Sequence, residues 1–81
     1  MDHHALLPLE HLQAGDWADV EHVSGEPGWV GRMAELGVRT GCRIQVLRSG
    51  TPCLLIVGGS RLCLRGEYAM RILVRPVAVA V

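Results

Sequence analysis

Phenylalanine is absent from this sequence, and two Trp and one Tyr supply its only aromatic rings. An interior built from such a chain must be aliphatic. Lysine is absent as well: all eight basic side chains are Arg, matched by eight acidic ones for a formal net charge of zero. Nucleic-acid binding draws on surplus positive charge to displace counterions, and on aromatics to stack bases. Neither is available here, which excludes a nucleic-acid-binding barrel. Without Lys there is also no Gly-rich phosphate loop of the usual kind. No stretch approaches the roughly 20 apolar residues of a membrane helix. Met1-Asp2-His3-His4 is neither basic nor followed by a cleavage signal, which argues against a secretory peptide. Three Cys, an odd number without close pairing, fit a reducing compartment better than a disulfide framework. The cytoplasm is the expected location.

What the chain does have is apolar mass: 49% hydrophobic against 20% charged over 81 residues, enough for one folded domain with a thin core. Residues 1–5 are expected to be flexible. Leu9 and Leu12 are spaced for one helical turn, and Gly15-Asp16 marks a turn after it. A first strand runs from Trp17 to Ser24. Its alternation fails between Val20 and Val23 by one position, so a bulge is expected there. Gly25-Glu26-Pro27-Gly28 breaks the strand, and Pro27 suits the first position of a helix. That helix carries Trp29, Val30, Met33 and Leu36 as an apolar stripe and stops at Gly37, where a left-handed cap is expected.

Cys42 to Arg48 alternates as a half-buried strand, with Cys42, Ile44 and Val46 on one face. Cys53 to Val57 is apolar throughout, so the pattern does not say which side faces inward. Gly58-Gly59-Ser60 reads as a hairpin turn into Arg61–Arg65, where Leu62 and Leu64 point inward and Arg61, Cys63 and Arg65 outward. Gly66 to Met70 is long enough for one helical turn. The last strand, Arg71 to Arg75, directs Ile72 and Val74 inward. The expected fold is mainly β: a small SH3-like barrel of five strands with one inserted helix and short helical turns. Residues 76–81 have strand propensity and read either as a free edge strand or as a frayed end.

Taken as a spaced series, these residues resemble the FeoA family of ferrous-iron transport proteins. The series begins with Leu9, Leu12 and Gly15, continues through Val20, Val23, Arg32-Met33 and Glu35-Leu36-Gly37-Val38, then Gly41, Ile44, Val46 and Pro52. It closes with Leu62, Leu64-Arg65, Ala69, Ile72 and Val74. Thr40 stands where the family often has Pro, and the loop before Pro52 is shorter than is common. The resemblance implies an SH3-like fold and a role beside FeoB, a membrane transporter with a cytosolic GTPase domain. The membrane is then reached only through that partner. The same fold occurs as an accessory domain in iron- and manganese-dependent repressors, but this chain has no helix-turn-helix region.

No catalytic constellation is visible, and the reading is of a binding protein, not an enzyme. Arg61, Leu64, Arg65, Arg71 and Arg75 are the candidate partner-facing residues, Leu64 entering with Arg65 because the Leu64-Arg65 pair carries the family resemblance. Against this stands a merely solvated strand face, or Arg65 bracing the turn at Glu67. Asp2, His3, His4, Glu21 and His22 are ligand types that suit Fe2+ or Zn2+. Adjacent residues do not share a face, and the spacing is not that of a structural site. A polar terminus that collects stray metal is the preferred reading, and no cofactor is required. Two functions of different class follow: a module docking on the transporter, or a ferrous or divalent-metal sensor or buffer. The C-terminal segment is expected to add to a sheet edge, in a homodimer or on the partner.

Overall fold

The computed structural model describes residues 6–78. Its elements in chain order are β1 (Leu7–Pro8), a 3₁₀ turn (Leu9–His11), β2 (Trp17–Val23), α1 (Pro27–Glu35), β3 (Arg43–Arg48), β4 (Cys53–Val57), β5 (Ser60–Leu64), α2 (Gly66–Ala69) and β6 (Ile72–Val77). One antiparallel sheet holds all six strands in the order β1-β6-β2-β3-β4-β5. This is the mainly β, SH3-like fold that the strand pattern predicts, with the two-residue β1 added at one edge.

Alternation decides which side chains meet. Ala18, Val20, Ile44, Val46, Cys53, Leu55, Val57, Leu64, Ile72 and Val74 bury on one face, and Leu9, Leu12, Met33, Val38 and Ala69 close over them. None of the largest fully buried side chains is aromatic. The expected bulge lies between Val20 and His22, where β2 shifts register against β6. It keeps Val23 packed on the core while His22 faces solvent. The extra residue frees a carbonyl, and the Thr40 hydroxyl donates to Glu21 O at 3.1 Å. The residue that departs from the family's Pro therefore satisfies a backbone acceptor at the bulge.

α1 starts at Pro27 and ends in a Schellman arrangement: Val38 N–H donates to Met33 O at 2.8 Å and Gly37 N–H to Ala34 O at 3.0 Å. Gly37 sits at φ +102°, as its cap role requires, and Val38 enters the core behind it. The apolar stripe is shorter than expected. Met33 is buried and Trp29 and Val30 half-buried, but Leu36 is 47% exposed because the helix ends before its last turn reaches the sheet. Gly58 and Gly59 take φ +57° and +84° between Val57 and its partner Ser60, the two positive values that a tight type I′ hairpin needs.

The C-terminal end also departs from expectation. β6 continues past Arg75, pairing Pro76 with Ala18 and Val77 with Trp17. The free edge strand expected over 76–81 therefore does not begin at residue 76: β6 runs two residues beyond the expected Arg75, and the start of β2 gives Pro76 and Val77 a partner. Residues 79–81, with the rest of that expectation, lie outside the described residues, as do residues 1–5.

Candidate functional site

β2 ends at Val23, and the next residue ties it to a distant part of the chain. Ser24 donates twice to the Arg71 carbonyl, from its N–H at 2.9 Å and its hydroxyl at 3.1 Å. This joins the start of α1 to the junction between α2 and β6. Two aromatic rings then meet: Trp29 on α1 and Tyr68 on α2, stacked with centroids 5.5 Å apart and planes 22° apart. The Arg71 guanidinium lies over both, 5.8 Å from the Trp29 ring and 5.6 Å from that of Tyr68. Each such contact contributes about 0.5–1 kcal/mol at an exposed position.

Gly25 makes room for this group. Its φ is +138°, and a Cβ there would stand 3.2 Å from Trp29 Cε3 and 3.5 Å from Arg71 Nη1. Gly25, Glu26, Trp29, Glu67, Tyr68 and Arg71 together line a cleft of about 420 Å³. Glu26, Glu67 and Arg71 are exposed, and the two rings are half-buried. Among the described residues none of the three charged groups has an ion-pair partner within the cleft or outside it. Glu26 is the N-cap residue of α1, yet its carboxylate makes no capping bond.

The partner residues expected from sequence do not gather at one place. Only Arg71 belongs to the cleft. Arg61 and Arg65 are exposed on and just after β5, which β2, β3 and β4 separate from β6 in the sheet. The Arg65 carbonyl accepts from Tyr68 and Ala69 N–H and so starts α2, and no ion pair joins Arg65 to Glu67. Leu64 must be withdrawn as a contact residue. It is 4% exposed, because strand parity turns it into the core opposite Cys53. Arg75 is held by Glu21 across the β2–β6 pair at 3.1 Å. Beside it Arg43 donates to Asp19 at 2.9 Å, which lowers the Asp19 pKa.

The metal candidates fare similarly. Asp2, His3 and His4 lie outside the described residues. Glu21 is engaged by Arg75, while His22 points into solvent after the bulge. Among the described residues no group of three or more His, Cys, Asp or Glu side chains is placed to hold a metal ion. All three Cys are free: Cys63 is exposed as its parity predicts, Cys53 is buried, and Cys42 is half-buried where a core position was expected. Burial is the main cause that pushes the Cys53 thiol pKa up, with nearby Cys63 adding to it. Sequence reasoning assigned Trp29 to the core stripe and Tyr68 to a turn. The available signal was scarcity, since two of the three aromatic residues in the chain stand in this cleft.

A small SH3-like β domain with an open aromatic cleft between two inserted helices is the class of protein these features define. A family model for the FeoA domain matches residues 7–76, and the chain belongs to the FeoA family, which is linked to ferrous-iron transport. It is similar to a crystal structure described as an iron uptake regulatory protein (FeoA), at 29% identity and TM-score 0.83, covering 90% of this chain and all of that one. It is also similar to FeoA from Chlorobium tepidum, at 35% identity and TM-score 0.83, covering 89% of this chain and 71% of that one. FeoA of Stenotrophomonas maltophilia, solved with zinc and described as a prokaryotic SH3 domain protein, shares 29% identity at TM-score 0.73, over 84% of this chain and 88% of that one. A search of curated proteins by sequence finds no match. Among the described residues no helix is long and apolar enough to cross a membrane.

Proposed function

We propose that this protein is a cytosolic accessory factor of ferrous-iron uptake. It docks on the GTPase domain of a FeoB-like transporter and modulates that transporter's assembly or activity. The cleft between α1 and α2 is the docking surface. The observation that carries this reading is Arg71: an exposed cation held in place by two rings, with no carboxylate partner among the described residues. A side chain fixed in this way on the surface costs little entropy when a partner meets it, and aromatic and Arg residues are the usual anchors of interfaces. Family membership supplies the transport setting. The function is one of binding, and no reaction step is assigned to any residue.

The test is retention of the transporter's cytosolic domain on the immobilised chain. The native chain retains it. Tyr68→Ala, which removes part of the cleft floor, weakens retention at least about tenfold, the loss of one interface anchor. Arg61→Ala with Arg65→Ala, on the other candidate surface, changes it less. Circular dichroism confirms that each variant is folded. If the double Arg variant loses the partner and Tyr68→Ala does not, the docking surface is β5 and not the cleft. If the native chain retains nothing, the accessory reading fails.

One observation favours a second reading, a divalent-metal sensor or buffer: the Stenotrophomonas relative was solved with zinc. Glu21 is engaged by Arg75 and His22 faces solvent, so this reading is tested on the remaining candidates Asp2, His3 and His4. Anaerobic calorimetry with Fe2+ separates the readings. Affinity tighter than about micromolar, a binding free energy more negative than about −8 kcal/mol, that is lost when residues 2–4 are deleted would support the sensor.

A further inference from the structure

The cleft has a charge pattern that its own residues leave unsatisfied. Two carboxylates, Glu26 and Glu67, face one guanidinium, Arg71, so the lining carries a formal excess of one negative charge. Arg71 does not bridge the carboxylates but lies on the Trp29 and Tyr68 rings. Glu26 makes no capping bond to α1, and neither Glu26 nor Glu67 meets a cation among the described residues. Glu26 at the N-cap of α1 and Glu67 in the first turn of α2 suit the helix dipoles, but no side chain neutralises either carboxylate among the described residues.

We infer that the cleft takes a basic, extended segment of the protein partner, with an Arg or Lys side chain between Glu26 and Glu67 above the aromatic floor. The inference rests on the docking reading given above and names the chemistry of what docks. Charge complementarity selects this occupant. Carboxylates at the rim attract a cation, and aromatic faces accept its alkyl stem or its charge. An acidic segment would gain Arg71 but meet two carboxylates as like charges, whereas a basic one gains both carboxylates and meets one like charge, Arg71. An extended segment suits the site because the cleft is small, at about 420 Å³, and open to few side chains at once. Arg71 holds Trp29 and Tyr68 in one orientation and remains a contact at one side of the cleft, beside the incoming cation.

The experiment uses the full chain and short synthetic peptides that alternate proline with arginine, glutamate or glutamine. Proline holds these peptides extended, which reduces the ordering cost of binding. Binding is followed by NMR on the indole N–H of Trp29, with Trp17 on β2 as the internal reference. The arginine peptide shifts the Trp29 signal and leaves Trp17 in place. Its affinity falls about tenfold in the Glu26→Gln, Glu67→Gln double variant, which is what two exposed ion pairs are worth together. Both positions are exposed, so this variant keeps the fold. Stronger binding by the glutamate peptide would overturn the inference and make Arg71 the recognition group, while leaving docking at the cleft intact. Equal binding by all three peptides, no shift at Trp29 with any of them, or an unchanged affinity in the double variant would also overturn it. Transporter retention, measured separately, then decides whether the docking reading itself survives.

Discussion

Gly37 closes α1, and the helix carries Trp29 into the cleft, so replacing this glycine tests packing and site together. Gly37→Ala meets two separate costs. The backbone stands at φ +102°, beyond the left-handed well near about +57° that other residues occasionally visit. Holding an L-residue there costs about 1–2 kcal/mol. The new Cβ would also stand 2.8 Å from Val57 Cγ1, inside the carbon–carbon optimum of about 3.5–4.0 Å. Overpacking of this kind costs about 1–3 kcal/mol. The expected destabilisation is therefore about 2–5 kcal/mol. A domain of this size shifts by about 4–8 °C for each kcal/mol, so the thermal midpoint should fall by at least about 8 °C. Urea unfolding followed by circular dichroism gives the free energy, and Val57→Ala separates the two costs. Removing Cγ1 abolishes the contact but leaves the backbone strain. The double variant should then be more stable than the sum of the single losses predicts, by about 1–3 kcal/mol. A cost below about 1 kcal/mol for Gly37→Ala, or additivity within about 0.5 kcal/mol, would refute this reasoning.

Three further outcomes are expected. A thiol reagent labels Cys63 before Cys42, and Cys53 last, because exposure falls in that order and burial raises the Cys53 pKa; mass spectrometry of peptides from a timed reaction reads the order. Asp19, whose pKa is lowered chiefly by its hydrogen bond from Arg43, contributes stability that is complete above its ordinary value of 3.8 and fades as pH falls through the lowered one; Asp19→Asn should flatten this acid limb in pH-dependent melts, and an unchanged limb would show that the pair has no weight. Gly58→Asn should leave stability within about 0.5 kcal/mol, because Asn tolerates φ near +57°, whereas Gly58→Val should lose about 1–2 kcal/mol, both read from urea curves.

The elements that read cleanly from sequence are those where one residue type has one physical use. The failure of alternation after Val20 marked the bulge, and Gly37 marked a cap that only positive φ satisfies. Parity placed Leu64 in the core and Cys63 outside, and it outweighs the family motif that suggested Leu64 as a contact. β4 was silent because Cys53–Val57 is apolar at every position; pairing with Ile44 and Val46 on one side and Leu62 and Leu64 on the other decides that Cys53, Leu55 and Val57 face inward. Leu36 failed for the opposite reason, since helical spacing cannot say where the sheet ends. The cleft was illegible because Trp29 and Tyr68 are distant in sequence, and the β2–β6 pairing at Val23 and Ile72, with the Ser24–Arg71 bonds, brings their segments together.

The helices α1 and α2 are interruptions of a strand framework, one between β2 and β3 and the other between β5 and β6. Their exposed cleft residues Glu26, Glu67 and Arg71 contribute nothing to the fifteen buried apolar side chains that stabilise the sheet. With docking at the cleft as proposed, selection can therefore retune the contact surface without first destabilising the scaffold. A pair of transporter and accessory factor could drift in step, one charge exchanged at a time, each intermediate still folded. Orthologues from different bacteria would then share the barrel while refusing one another's partners, and swapping the segments 25–29 and 67–71 between two of them would carry the preference across.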